Sequence, residues 1–278
     1  MTSWTTLLFV PVTARRFVDT AHTRGAGAIV LDLEDSIAPH DVPAALEAIP
    51  SAVEHLTSRA VPVVIRIGRT SDLSIAVRPG VRAIMVPKVV SAEQIQQIDS
   101  DLQHLETASG LPTGRIGVLA LVEHPAALAA LREIASAPRV IGIAFGSEDF
   151  AAALGVAPTP AALTLPAQLV ALAAAANGIM SHGLPDTLAD YRDQDRLQSA
   201  AAAAKAFGMT GALCVHPAQI AAVDDAFAPT AREIEWASAV MSAWSEADGG
   251  VATIDGTMID KPVALRAERI LSRRKASV

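Results

Sequence analysis

The chain has 278 residues, 51% of them hydrophobic, with a formal net charge of −7 and a single cysteine, Cys214. That length suits one large domain with ample apolar surface to bury, and one cysteine excludes an intrachain disulfide and a CxxC metal site. The negative charge and an aromatic content of only 4% argue against a nucleic-acid partner, which needs cations for phosphates and rings for bases.

In chain order, eight short apolar runs alternate with longer amphipathic, Ala-rich segments. The runs are Leu7–Val10, Ala28–Leu31, Val63–Ile67, Ala83–Val86, Ile116–Val122, Val140–Phe145, Gly178–Leu184 and Gly211–Val215. Each is nearly continuous rather than alternating, as expected of strands covered on both faces. The intervening segments carry helix signals: Ser91 with Gln94 three residues on reads as a capping box, and Pro125 and Pro217 suit a first helical turn. Strand–helix alternation predicts an α/β fold with parallel strands. Eight units favour a closed (β/α)8 barrel, a TIM barrel, over an open doubly wound sheet. After Pro229 the rhythm stops. One more helix is predicted over Arg232–Glu246, then a short run to Ile254, a turn at Asp255-Gly256 and a basic helix ending at Arg273-Arg274-Lys275. The expected organisation is a barrel over residues 1–228 and a C-terminal helical lid extension over 229–278. No signal peptide is recognised, because no basic segment precedes the apolar Leu7–Val12. The Ala-rich Leu169–Ala176 falls short of the roughly 20 apolar residues of a membrane span. A cytoplasmic protein with no membrane partner is the expectation.

In a barrel, the C-terminal tips of the strands face the active site. Asp32, Glu34 and Asp35 stand after the second run, Arg66 at the end of the third and Lys88 after the fourth. Glu123 and His124 come after the fifth, Glu148 and Asp149 after the sixth, Asp186 after the seventh, and His216 after the eighth. Carboxylates converging from several strands repel unless a metal ion, a cationic side chain or a shared proton lies among them. Glu123 and Asp149, on adjacent tips, are candidate ligands for Mg2+, which needs only one or two carboxylates plus water and substrate oxygens. Either acid alone reads equally as an exposed loop side chain. Arg66 suits a substrate carboxylate, or else an ion pair with Asp32 or Glu34 that closes the rim. Lys88 could be a Schiff-base nucleophile if burial lowered its pKa; a rim cation is the plainer reading. His216, before Pro217, could bind substrate or cap a helix. Walker, GxSxG, HExxH and dinucleotide-binding motifs are absent.

These tips resemble the CitE-like branch of the HpcH/HpaI aldolase/citrate lyase family. GAIVLDLEDSIAP (Gly27–Pro39) is the most specific match. LLFVPVTARRF, VIRIG, IMVPKV, LVEHP, AFGSEDFAAALG, CVHPAQI, AFAPTAREIEWA and DGTMIDKP keep the family order over nearly the whole chain. The resemblance implies a Mg2+-dependent carbon–carbon lyase, with Mn2+ as a substitute. Its substrate would be a β-hydroxyacyl thioester such as malyl-CoA or citramalyl-CoA, and its products an oxo acid such as glyoxylate or pyruvate and an acyl-CoA. It implies Glu123 and Asp149 as metal ligands, Arg66 as the carboxylate clamp, and Glu34 and Asp35 as partners of metal-bound waters. Asp260 would be the general acid/base, on a lid contributed by a neighbouring subunit of a homotrimer. Arg16, with Arg15, would meet CoA phosphates, or is an ordinary solvated helix charge. Departures from the pattern stand at Val12, Gly68, His124 and Ala212. Related activities are a citrate lyase β subunit on a carrier-protein thioester, a class II aldolase on free oxo acids and a non-catalytic barrel subunit.

Overall fold

In the computed structural model, which describes residues 4–273, strands and helices alternate from the first residues onward. They run β1 (Thr6–Pro11), α1 (Arg15–Ala21), β2 (Ala28–Asp32), α2 (Val42–Thr57), β3 (Val63–Arg66), α3 (Leu73–Ala76), β4 (Val81–Val86) and α4 (Ala92–Ala108). Then come β5 (Gly117–Val122), α5 (Leu131–Ser136), β6 (Val140–Phe145), α6 (Ser147–Leu154), α7 (Pro160–Asn177), β7 (Met180–His182), α8 (Gln194–Phe207), β8 (Ala212–Cys214) and α9 (Ala218–Phe227). All eight strands are parallel, in the order β7-β6-β5-β4-β3-β2-β1-β8. Every residue of β2, β3 and β5 is buried, as continuous apolar runs require of strands covered on both faces.

The sheet curls into a barrel, and closure is tight on one side of β8 and sparse on the other. β8 pairs with β1 from Thr6↔Ala212 to Leu8↔Cys214. Gly211 permits this approach, since a Cβ there would stand 2.0 Å from the Thr5 carbonyl oxygen. β7 meets β8 only at the bridge His182↔Gly211. β7 is shorter than the apolar run Gly178–Leu184 suggests. Gly178, at φ 65°, is the left-handed cap of α7, and Gly183, at φ 156°, makes the last bond of the pairing, its N–H donating to the Gly211 carbonyl at 3.1 Å.

The predicted signals around the helices have physical counterparts. Gln94 Oε1 accepts from the N–H groups of Ser91 and Val90 at 3.1 and 2.7 Å, the capping-box contact at the start of α4. Pro125 opens a short 3-10 turn, Pro125–Ala130, before α5. α7 is long and apolar enough, by length and composition, to cross a membrane. Here Leu163, Ala167, Val170 and Ala174 are buried, and the helix packs on β6 and β7 between α5 and α8.

The chain divides into two compact units, 1–226 and 227–278. In the second, α10 (Ala231–Glu246) leads into the antiparallel hairpin β9 (Ala252–Ile254) and β10 (Thr257–Ile259), then α11 (Lys261–Ser272). The turn residues Asp255 and Gly256 both take positive φ, 48° and 75°, as a two-residue hairpin demands. Ala237, Val240, Ile259 and Ala267 form this unit's small core, and Arg266 lies 4.1 Å over the Trp236 ring. Arg274 and Lys275, predicted to end the last helix, lie outside the described residues.

Candidate active site

Parallel register sets the centre of the site. Asp32 and Arg66 are Cα partners at the ends of β2 and β3, and their side chains make a bidentate pair. Arg66 Nε donates to Asp32 Oδ1 at 2.6 Å and Nη2 to Oδ2 at 2.7 Å. Nη1 turns to Glu34 Oε2 at 3.0 Å and Asp35 Oδ2 at 3.1 Å, and Phe9 lies under the guanidinium with its ring centroid 4.8 Å away. Burial alone would raise the Asp32 carboxyl, but hydrogen bonds and charge from Arg66 outweigh it and hold the group below its ordinary value. Arg66 thus already has a carboxylate partner. Of its five N–H groups, three hydrogen-bond to Asp32 and Asp35, which leaves one on Nη1, beside Glu34, and one on Nη2.

Glu123 and Glu34 show the opposite condition. Glu123, immediately after β5, is 3% exposed. Burial, followed by repulsion from Glu34 and Asp149, pushes its pKa up to about 8. Its Oε1 accepts the Lys88 backbone N–H at 2.7 Å. To present that N–H, Lys88 adopts φ 53°, a left-handed conformation costly for a residue with a Cβ. The Lys88 side chain, 62% exposed, reaches Glu34 Oε1 at 2.7 Å, and that hydrogen bond raises the ammonium's pKa. A Schiff-base lysine needs the reverse shift, so Lys88 is a rim cation. Glu34 is held above its ordinary pKa by burial and by Asp35, despite Lys88 and Arg66. Its Oε2 is buried and lacks a hydrogen bond of good geometry.

The turn from β6 into α6 brings in the remaining acid. A Cβ on Gly146 would stand 2.9 Å from Glu123 Cβ and 3.0 Å from Oε2, so glycine there leaves room for the Glu123 carboxylate. Phe150 of α6 packs on Phe145 of β6 at 5.2 Å between ring centroids. Burying such a ring contributes roughly 1.5–3 kcal/mol, which anchors the turn carrying Ser147 and the exposed Asp149. Glu148 serves the scaffold instead: its Oε1 accepts from Thr187 Oγ1 and from the Leu188 N–H, pinning the loop after β7. Gln219 Nε2 donates to the Leu188 carbonyl, and Gln219 Oε1 accepts from the N–H groups of Val215 and His216, joining the loops after β7 and β8.

Together these elements enclose a cavity of about 380 Å3. Asp32, Asp35, Arg66, Glu123 and Asp149 line it, with apolar walls from Phe9, Leu121, Leu188, Leu213 and Val215. Of the predicted site residues, Glu34, Lys88, Arg16 and His216 are not among its lining. Arg16 is exposed on α1, stacked over Phe17. His216 Nδ1 accepts the Ala218 N–H at 3.1 Å, and the ring stacks on Tyr191 at 4.1 Å, so it caps α9. Asp260 belongs to the second unit, where it caps α11 by accepting the Val263 N–H at 3.2 Å. Asp186 is paired with Arg196 of α8.

Several features escape a reading of the strand tips. The Lys88 contribution is a backbone N–H, which no side-chain inventory shows. Ser147 lines the cavity fully buried, with an unpartnered Oγ; its place beside Asp149 was the available signal. Gly68, a departure from the family pattern, has no room for a Cβ, which would lie 2.6 Å from the Leu33 carbonyl oxygen. His124, another departure, caps the 3-10 turn by accepting the Ala126 N–H at 3.1 Å. Val12 and Ala212 are buried.

The donor set can hold a hard cation. Only carboxylates converge here, which favours magnesium or manganese over zinc. Among the described residues no group of three or more His, Cys, Asp or Glu forms a ready cage. Two carboxylates completed by water are within magnesium's habits, and the lifted pKa of Glu123, buried among acids, calls for positive charge.

An eight-stranded parallel barrel with a carboxylate-and-arginine centre at its C-terminal tips defines a barrel enzyme with an oxygen-donor site. The chain belongs to the HpcH/HpaI aldolase/citrate lyase family, whose profile matches residues 5–217. It is 30% identical to the citrate lyase subunit beta of Escherichia coli, over 98% of this chain and 93% of that one. It is 28% identical to the (3S)-malyl-CoA thioesterase of Cereibacter sphaeroides, over 97% and 94%. The crystal structure of CitE from Mycobacterium tuberculosis in complex with magnesium, acetoacetate and coenzyme A aligns with a TM-score of 0.76 and 28% identity, covering 98% of each chain.

Proposed function

We propose that this protein is a Mg2+-dependent carbon–carbon lyase that cleaves a β-hydroxyacyl-CoA of the malyl-CoA or citramalyl-CoA type to an oxo acid and an acyl-CoA. The observation that carries the reading is Glu123, a buried carboxyl raised to about 8 by burial and by Glu34 and Asp149, beside an arginine already matched by Asp32. Glu123 and Asp149 would ligate the ion, and Glu34 and Asp35 would orient its water ligands. When bound, Mg2+ supplies Lewis-acid polarisation of the oxygen that becomes the carbonyl of the oxo acid.

The chain's own residues do the rest. The free Nη2 proton of Arg66 holds the substrate carboxylate, and the apolar walls exclude water from the breaking bond. Asp35, which lines the cavity, takes the hydroxyl proton as the carbon–carbon bond breaks and its electron pair passes to the carbon next to the thioester. Asp260 returns a proton to that carbon. We place Asp260 on a lid exchanged within a homotrimer, Arg16 near the CoA phosphates, and the protein in the cytoplasm. The CitE complex with magnesium, acetoacetate and coenzyme A supports the choice of ion and thioester.

The malyl-CoA thioesterase relative favours one second reading, hydrolysis of the thioester after or instead of cleavage. One assay separates them. Purified protein is incubated with malyl-, methylmalyl- and citramalyl-CoA, with Mg2+ or EDTA, and oxo acid and free thiol are both measured. Mg2+-dependent glyoxylate or pyruvate without free thiol establishes the lyase, and free thiol establishes the hydrolase. Neither product overturns both readings. Trimer exchange is tested by mixing Asp149→Ala and Asp260→Ala proteins, each inactive alone; recovered activity requires sites built from two chains.

A further inference from the structure

A second cavity, of about 420 Å3, opens at the opposite end of the barrel, where the strands begin. That volume is in the range of small-molecule sites. Its walls are apolar, from Trp4 ahead of β1, Ile141 in β6, and Ile179 and Met180 at the start of β7. Its polar lining is one-sided. Three arginines reach it, Arg82 from β4, Arg115 ahead of β5 and Arg139 ahead of β6, and among the described residues no aspartate or glutamate does.

The three arginines are not equivalent. Arg139 is held from behind by Asp99 and Glu106 through Nε and Nη1, and its Nη2 has no hydrogen-bond partner among the described residues. Arg82 and Arg115 are exposed at the mouth and have no ion-pair partner among the described residues. These two guanidiniums make the mouth locally positive on a chain whose net charge is −7. Trp4 adds an unmet donor: the residue is 6% exposed, and its indole Nε1 is buried without an acceptor. The Trp4 carbonyl is already bonded by His182 Nε2 at 2.7 Å, which fixes the residue in the wall. The polar side chains still seeking a partner here are donors, and fixed guanidinium forks match carboxylates.

We propose that this N-terminal mouth is a second ligand site, taking a small organic carboxylate with an apolar body. The carboxylate pairs with Arg82 and Arg115, and the body lies against Trp4, Ile141 and Ile179. The site is at the end of the barrel that carries no chemistry, so its ligand is an effector or a stored acid rather than a substrate.

The test is isothermal titration of the full-length protein in EDTA with 1-naphthoate, and with 1-naphthamide as its neutral isostere. The expected result is one naphthoate per chain, bound at least about tenfold more tightly than the amide. Arg82→Gln with Arg115→Gln, both at exposed positions, should weaken it by about tenfold or more. Ile179→Trp should abolish binding by filling the pocket, while Asp149→Ala, at the other end of the barrel, leaves it unchanged. Equal affinity for the amide, an unaltered double variant, or loss on Asp149→Ala would overturn the proposal. So would no binding to the full chain, or binding that appears only after removal of residues 1–3.

Discussion

Two buried charge clusters sit at opposite ends of the same barrel, built from the same residue types. At the strand starts, Glu106 is fully buried, yet both its oxygens are used. Oε2 accepts the Gly114 N–H, and Oε1 accepts the Ile116 N–H and Arg139 Nη1; Asp99 takes Arg139 Nε. At the strand ends, one buried arginine faces Asp32, Glu34 and Asp35, with Glu123 and Asp149 close by. There Glu34 Oε2 has no hydrogen bond, and Glu123 holds a proton up to about pH 8. In the first cluster both acids are matched, and together they tie α4 to β5 and β6. The second is open, and its unmet charge marks it as the place where a cation and a substrate complete the structure.

The most direct attack on this contrast is to remove one group from each end. Asp149→Ala should lower kcat/KM by about 10^3-fold or more. Because Asp149 is exposed, denaturant unfolding should shift by less than about 0.5 kcal/mol. Arg139→Ala should do the reverse, costing about 3–5 kcal/mol of stability by stranding two acids, with kcat/KM per folded molecule retained. An inactive but stable Arg139→Ala protein would end the division of labour.

The pH dependence probes the open cluster alone. The pKa of Glu123 in the folded chain, about 8, lies above its ordinary 4.5. Between those values the folded state keeps a proton that the unfolded chain gives up. The stabilisation from that proton is complete below about pH 4.5 and is lost as pH rises through about 8, on the order of a few kcal/mol. Urea unfolding in EDTA at pH 5, 6.5 and 8 should show this decline. Mg2+, which binds the ionised form, should flatten it. Stability that rises across this window in EDTA would contradict the raised pKa.

Smaller effects belong to the supports. Gln219→Ala leaves the Leu188 carbonyl and the start of α9 without their partner, which should cost about 1–3 kcal/mol and raise KM as the two loops loosen. Lys88→Ala removes the exposed half of a pair whose acid, Glu34, is buried, and should cost about 1–3 kcal/mol, while its N–H to Glu123 survives. Activity within tenfold of the parent would support the rim-cation role, whereas a borohydride-trapped adduct at Lys88 would restore the Schiff-base reading.

Much of this was legible in the residues. The eight runs sit on eight strands within two residues at each end; β7 is shortened at both ends, starting after the left-handed cap at Gly178. Asp32, Arg66, Glu123 and Asp149 gather because strand ends in a parallel barrel share one face, a rule that needs only their order along the chain. Burial of the Arg139 cluster was not legible, since Asp99 and Glu106 look like ordinary charges of an amphipathic helix.

Local pattern and chain order were enough for the strand and helix rhythm, the acids on the strand tips and the family. Which charges are spent and which stay open was settled by the folded chain alone. Arg66 is matched by Asp32, the Lys88 backbone rather than its amine reaches Glu123, and His216 is turned to cap a helix. Those outcomes depend on register, burial and the direction of single N–H bonds between residues distant in the chain, and electrostatic energy is set by such distances and by desolvation rather than by composition.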